Sequence, residues 1–362
     1  MSTPSSSPAQ LTPRSSPIPY NHTNKAVNVD SNDDDTTSRL KTPHSPPQPT
    51  PKLRLHLQDL THPATKAFIN LISDPNAAIN TALDKIVTYL YTSPPERDQT
   101  RSKSSSSNAH PIYPHFSPSI PETRSVTFII RDISGVAYTT GTDLDPDHKE
   151  IHFSLSYIST VSSSFADATR ELLGVITHEL VHCYQHTRPH PVAEEQEKEK
   201  KKKKRPKKGK PEPTIPSPPS GLIEGIADFV RLKARLVPPH WKRPMSKAER
   251  GGGWDQGYQV TAFFLEWIED VKVGEGAVGM LNDRLLRIGY VGESDGDGDG
   301  DGDGDGGSEK REQEGTVVMR DGEDPFQCGF WRGLFGAEVL ELWEEYGVYL
   351  DSLKTNQKIN AR

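Results

Sequence analysis

The chain has 362 residues, of which only 32% are hydrophobic and 31 are proline, and its formal net charge is −7. A chain this polar cannot bury enough apolar surface to form one continuous globule, so we expect one domain with unstructured segments beside and within it. No stretch approaches the roughly 20 apolar residues of a membrane-spanning helix, and two cysteines cannot form a framework of several disulfides.

The N-terminal segment, residues 1–52, is rich in Ser, Thr and Pro and has no periodic apolar positions. It is predicted to be a disordered tail. Because its first residues carry neither a basic start nor an apolar core, we expect no secretory signal. The low cysteine count fits a reducing compartment, so we expect an intracellular protein, cytoplasmic or nuclear, with leaderless secretion as the alternative.

Apolar spacing predicts that ordered structure begins at residue 53. Leu53, Leu55 and Leu57 alternate with polar residues as in a strand, and the apolar positions further on recur at helical spacing. The predicted elements are a strand at 53–57, helices at 64–73 and 77–91, and strands at 126–130 and 150–157. We predict one domain from residue 53 to residue 350, with residues 351–362 as a C-terminal tail.

The most specific pattern lies in residues 174–186, which read GVITHELVHCYQH. His178 and His182 are four residues apart in an apolar helical pattern, so both imidazoles can reach one metal ion, and Glu179 can hold a water beside it. A chance match on a surface helix is the alternative, but imidazole and carboxylate groups rarely lie unpaired in so apolar a helix. The pattern therefore predicts a zinc hydrolase.

A catalytic zinc needs a third protein ligand, because water occupies its fourth position. His186 continues the four-residue spacing, but it lies about 12 Å along the helix from His178, too far to share one ion. A second helical pattern starts at Gly221 and places Glu224 and Asp228 four residues apart. We predict Glu224 as the ligand and Asp228 as the acceptor for the outer ring N–H of a ligating histidine, with Asp228 as ligand as the alternative.

Three blocks of sequence together resemble the plant basic secretory protein family. They are residues 174–185, residues 221–234 (GLIEGIADFVRLKA) and residues 254–262 (WDQGYQVTA), and the similarity extends from about Leu53 to Tyr349. Members of that family are regarded as zincin-like metallopeptidases. The chain departs from the plant proteins, which are basic and secreted, in its negative net charge and in two long insertions.

The resemblance implies an α+β zincin-like fold, with a small mixed sheet packed on the helix of the H-E-x-x-H motif and on a second ligand-bearing helix. It also implies that His178 and His182 bind Zn²⁺ and that Glu179 is the catalytic base. In zincin folds an edge strand lines the cleft and can pair with an extended peptide, and we predict strand 150–157 for that position.

The two insertions differ in charge. The first, residues 189–219, contains a basic run at 200–210 that is typical of binding to a nuclear import factor or to nucleic acid, although a solvated loop is the alternative. The second, residues 292–316, contains six Asp-Gly repeats. A formal match to a calcium-binding loop is rejected there, because glycine at every second position prevents the helices that an EF-hand needs, and a flexible acidic linker is predicted.

The sequence also offers candidates for the group that stabilises the oxyanion. Tyr258 and His240 are the nearest plausible donors by their proximity to the motifs. Tyr258 and Trp254 are alternatively core aromatics, and Asp255 is a candidate cap for a helix at 260–268.

These features predict a zinc-dependent metallopeptidase that hydrolyses peptides or proteins, and we expect a monomer without membrane contact. One alternative is a non-catalytic zincin-like scaffold that binds partners or polyanions through its basic insertion. Another is a zinc hydrolase of a non-peptide bond. Glu179 argues against the scaffold, because a structural metal has no chemical use for a carboxylate beside its ligands.

Overall fold

The alternating leucines after residue 52 form the first strand of a four-stranded mixed sheet. The computed structural model describes residues 45–95, 114–142, 144–187, 217–291 and 329–360. Its strands are β1 (Lys52–Leu57), β2 (Ser125–Arg131), β3 (Ala137–Thr142) and β4 (Asp145–Ser154), and their order in the sheet is β1-β2-β4-β3. The pairs β1/β2 and β2/β4 are parallel, and β3 runs antiparallel to β4.

The strand predicted at 150–157 differs from the structure in extent and in position. β4 ends at Ser154, because the side chain of Ser154 accepts a hydrogen bond from the backbone N–H of Tyr157 and caps the following helix. β4 also lies inside the sheet, between β2 and β3, and its last four residues are all buried. The prediction of 150–157 as an edge strand is therefore wrong, and the edge on that side of the sheet is β3.

Nine helices follow the chain through the described residues. They are α1 (Pro63–Leu71), α2 (Pro75–Ile86), α3 (Leu155–Ser164), α4 (Ala168–Tyr184), α5 (Ser220–Lys233), α6 (Tyr258–Trp267), α7 (Ala277–Arg287), α8 (Phe330–Phe335) and α9 (Val339–Asn360). Turns of π-helix extend α2 over Val87–Tyr91 and α6 over Ile268–Lys272, and a short 3-10 helix spans Lys247–Glu249. The helices predicted at 64–73 and 77–91 are confirmed, with ends shifted by a few residues.

Helix α4 lies in the interior, as its apolar pattern predicts. Twelve of its 17 residues are buried, and it packs against α2, α3 and α5. Asp167 begins the helix by accepting a hydrogen bond from the backbone N–H of Arg170, 2.9 Å from Oδ1. A polar motif within a helix this buried needs partners from neighbouring elements, and α5 and β3 supply them.

Two glycines let α5 approach α6 closely. A Cβ atom at Gly221 would lie 1.6 Å from the carbonyl oxygen of Asp255, and one at Gly225 would lie 2.3 Å from Cγ2 of Thr261. Asp255 does not cap α6, contrary to prediction: Gly257 is the N-cap, with φ at +85°, and no side chain caps the helix there. The backbone N–H of Gly257 donates to Thr261 Oγ1, 2.9 Å away.

The C-terminal helices complete an aromatic core. Successive rings of this cluster have centroids 5.3 to 6.1 Å apart, and its members are Phe264, Trp267, Trp331, Trp343 and Tyr346. Trp254 is buried and packs edge-on against Trp331, so it is a core aromatic residue, one of the alternatives predicted from the sequence. Helix α9 continues to Asn360 and thus includes most of the segment 351–362, for which a tail is predicted.

Three predicted segments fall mainly outside the described residues. They are the N-terminal tail up to residue 44, the basic insertion up to residue 216 and the Asp-Gly repeat at 292–316. Within the ranges that the structure describes, no helix is both long enough and apolar enough to cross a membrane.

Candidate metal centre

The helical spacing of the motif brings two imidazoles together on one face of α4. The Nε2 atoms of His178 and His182 are 3.1 Å apart, and the ring planes lie nearly at right angles, with centroids 4.8 Å apart. His178 is 8% exposed. Both Nε2 atoms therefore face one point at the edge of a buried helix.

Helix α5 adds a carboxylate at the same point. Glu224 Oε2 lies 3.1 Å from His178 Nε2 and 3.7 Å from His182 Nε2. Ligand atoms about 2.05 Å from a tetrahedral zinc are separated by about 3.3 Å, close to all three observed distances. Among the described residues, His178, His182 and Glu224 are the one group of three that could hold a metal ion.

Asp228 faces the opposite side of the first imidazole. Its Oδ1 lies 2.8 Å from His178 Nδ1, so it accepts the proton on that nitrogen and leaves Nε2 with its lone pair. The lone pair then points at a carboxylate oxygen of Glu224 only 3.1 Å away, an arrangement that requires a proton or a cation between them. Glu224 thus contacts the Nε2 side of His178, where His182 also points, and Asp228 contacts the Nδ1 side.

The pKa values of His178 and Glu224 also indicate that a positive charge is favoured between them. Burial by itself lowers the pKa of His178, but the hydrogen bonds to Asp228 and Glu224 raise it to about 10. Burial raises the pKa of Glu224, and the hydrogen bonds from His178 and His182 outweigh it and hold that pKa well below its usual range. A positive charge between these groups is therefore favoured, whether a proton or a metal ion carries it.

His186 lies apart from this group, as its distance along the chain predicts. Helix α4 ends at Tyr184, and the backbone N–H of His186 donates to Asn282 Oδ1, 2.9 Å away. Its ring Nε2 lies 2.7 Å from the carbonyl oxygen of Ser119. This imidazole therefore stabilises a loop and is not one of the candidate metal ligands.

Glu179 lies beside the three candidate metal ligands and faces the sheet edge. The residue is 5% exposed, and Thr139 of β3 places its hydroxyl oxygen 2.7 Å from Glu179 Oε2 and 2.9 Å from the backbone carbonyl oxygen of Glu179. Sequence reasoning missed Thr139, since nothing in its local pattern marks it. A strand register that places Thr139 opposite Ile151 brings it to α4.

A cleft of about 840 Å³ covers these residues, and both predicted oxyanion donors line it. Tyr258 is 58% exposed and lies outside the core, with its ring nearly parallel to that of His178 at 6.4 Å. Its φ of +45° is rare for a residue with a side chain and follows Gly257 at the start of α6. The nearby carboxylate of Glu224, followed by burial, raises the pKa of Tyr258, so its hydroxyl remains a donor. His240 is exposed in the same wall.

A buried ion pair joins α4 and α5 about two helical turns from His178 and Glu224. Arg231 Nη2 of α5 donates to Glu171 Oε1 of α4, 2.9 Å away, and the hydroxyl of Tyr157 donates to the same oxygen at 2.6 Å. Gly174 leaves the space, because a Cβ atom there would lie 2.6 Å from Arg231 Nε. The pair holds α5 where Glu224 can reach the histidines of α4.

The fold and the site together define an α+β protein with a candidate metal centre in a cleft. The family model called BSP, described as peptidase of plants and bacteria, matches residues 50–304. That range is more than half of the chain, so the protein belongs to this family of peptidases, and the resemblance seen in the sequence is confirmed. Comparisons with curated proteins and with solved structures found no match.

Proposed function

We propose that the protein is a zinc-dependent metallopeptidase of the zincin type. The observation that carries the proposal is the convergence of His178, His182 and Glu224 within 4.8 Å of one another beside the buried carboxylate of Glu179. The mixed sheet, with its edge strand beside the motif helix, is consistent with a zincin fold. Membership of a peptidase family indicates peptides or proteins as substrates.

Zinc is the metal that suits this donor set best. Two imidazoles and one carboxylate are a common catalytic zinc site with one position left open, and harder cations such as Mg²⁺ prefer oxygen ligands throughout. Zinc bound there would supply Lewis acidity, which makes a water more acidic and a carbonyl more electrophilic.

The chain's own residues then divide the work of proton transfer and orientation. Glu179 takes the proton from the attacking water and passes it to the departing amine. The Thr139 hydroxyl holds Oε2 of Glu179, so Oε1 is the oxygen that takes up the proton. Asp228 holds the ring of His178 in the tautomer that binds metal.

The substrate lies between β3 and the wall formed by Tyr258 and His240. Residues 135–139 line the cleft, and β3 is an edge of the sheet, so an extended peptide can add to it as a further strand. Tyr258, with its hydroxyl kept protonated, is the better placed donor to the oxyanion, and His240 is the alternative.

The test is zinc content and hydrolysis of a denatured protein substrate for four proteins. We expect about one zinc in the wild type and in Glu179→Gln, much less in Glu224→Gln, and hydrolysis in the wild type alone. Glu275→Gln, at an exposed glutamate, is the matched control and should behave as wild type.

Two results would contradict parts of the proposal. Zinc binding without hydrolysis of any peptide bond would favour the scaffold or a hydrolase of another bond. Full zinc in Glu224→Gln would remove Glu224 from the ligand set and return Asp228 to consideration.

A further inference from the structure

The imidazole of His182 is held by a residue that has no role in the mechanism proposed above. Gln185 follows the last residue of α4, and its Nε2 lies 3.0 Å from His182 Nδ1. The residue is 8% exposed. Its other amide atom, Oε1, is buried without a hydrogen-bond partner among the described residues.

This orientation of the amide conflicts with metal binding by His182. A neutral imidazole carries one proton, and an amide N–H that donates to Nδ1 needs the lone pair of Nδ1. The proton must then lie on Nε2, and a protonated nitrogen cannot bind a metal. His178 has no such conflict, because its Nδ1 faces a carboxylate oxygen of Asp228, which accepts the ring proton.

We propose that Gln185 is a positioning residue that presents its amide oxygen to His182 Nδ1 when His182 binds metal. With Oε1 toward the ring, the amide accepts the proton of His182 Nδ1 and commits Nε2 to the metal, as Asp228 does for His178. This inference rests on the proposed function only in taking His182 as a ligand.

The two orientations are close in free energy for a physical reason. Exchanging the two amide atoms gives the unpaired Oε1 a hydrogen bond and moves the amide nitrogen into the position that Oε1 leaves. One unpaired polar group replaces another, so the bond between His182 Nε2 and the metal decides the orientation. Gln185 therefore can offer a donor to a ring protonated on Nε2 and an acceptor to a ring protonated on Nδ1.

Two substitutions separate the acceptor from the bulk of the side chain. Gln185→Glu keeps the size and presents an acceptor on both sides, whereas Gln185→Leu keeps much of the volume and presents none. We expect zinc to bind about 10- to 100-fold more weakly to Gln185→Leu, and at least as tightly to Gln185→Glu as to the wild type. Affinity is measured by competition with a chromogenic chelator, and thermal melting of the metal-free proteins shows whether each is folded.

The ¹⁵N shifts of the histidine rings report the tautomer independently. We expect the proton of His182 to lie on Nδ1 in the zinc-bound wild type. Zinc affinity of Gln185→Leu within twofold of wild type would overturn the inference, and if that variant does not fold, tenfold weaker binding to Gln185→Glu would do so.

The outcomes distinguish this inference from the proposed function. The expected order of zinc affinities without any peptide hydrolysis would support the role of Gln185 and contradict the peptidase mechanism. Peptide hydrolysis by the wild type, with unchanged zinc affinity in both Gln185 variants, would support the peptidase mechanism and contradict the role of Gln185. A wild type that binds no zinc would overturn both.

Discussion

Replacing Thr139 with valine removes one hydroxyl from the cleft and changes little else. The two side chains have nearly the same shape, and Thr139 lies on the edge strand, where valine is well accepted. The change deletes a hydrogen bond of 2.7 Å to Oε2 of Glu179, a carboxylate that is almost fully buried. A hydrogen bond to a charged group contributes about 1.5 to 3 kcal/mol. The proposed base therefore loses the contact that orients it.

At about 1.36 kcal/mol for each factor of ten in rate, we expect kcat to fall about 10- to 150-fold in Thr139→Val. KM and zinc content should stay within about twofold of wild type, because the hydroxyl touches neither the substrate nor the three ligands in this mechanism. Thr139→Ser, which keeps the hydroxyl, should recover most of the rate. The assay is steady-state hydrolysis of a fluorogenic peptide beside zinc analysis of each protein. Unchanged kcat in Thr139→Val, or equal losses in both variants, would refute the orienting role.

Two further predictions concern the ion pair and the protonation of the site. Arg231→Met leaves the carboxylate of Glu171, which is 4% exposed, without its charged partner. We therefore expect the free energy of unfolding in urea to fall by about 3 to 5 kcal/mol, with partial recovery in the double variant Arg231→Met/Glu171→Gln. A loss below about 1 kcal/mol would contradict this role of the ion pair. In the metal-free protein, burial lowers the pKa of His178, but Asp228 and Glu224 raise it from its usual 6.5 to about 10. The raised pKa means that the proton-linked stability is fully present below pH 6.5 and is lost as the pH rises to about 10, while zinc affinity rises over the same range. Zinc added at pH 8 should release about one proton, measured with an indicator dye in weak buffer, and zinc binding without proton release would argue against a charged His178.

The parts of the fold that could be predicted are those that local periodicity decides. The spacing of His178 and His182 places both rings on one helix face, whatever the rest of the chain does. The early helices agree with the structure for the same reason, whereas the α+β class was implied by the family resemblance and agrees with the observed sheet and helices. The end of β4 was missed because a serine cap at Ser154 overrides the β-like pattern that continues to Tyr157.

Strand order illustrates what local patterns leave undecided. Residues 150–153 carry alternating polar and apolar side chains, which suit an edge strand as well as a central one. Antiparallel pairing with β3, the strand just before it in the chain, covers one side of β4. Parallel pairing with β2, which skips over β3 in the chain, covers the other side and makes β4 central. The role of Thr139 could not be predicted either, because Thr139 and Glu179 are 40 residues apart in the sequence.

The sequence by itself determined the chemistry available at the site: two imidazoles at helical spacing, a carboxylate next to the first, and two acids on a second helix. Only the tertiary structure decided which acid faces inward. Gly221 and Gly225 let α5 pack against α6 closely, and the Arg231–Glu171 pair ties α5 to α4. With α5 in that position, Glu224 points to both Nε2 atoms and Asp228 to Nδ1, because residues four apart on a helix share a face but lie one turn apart along it.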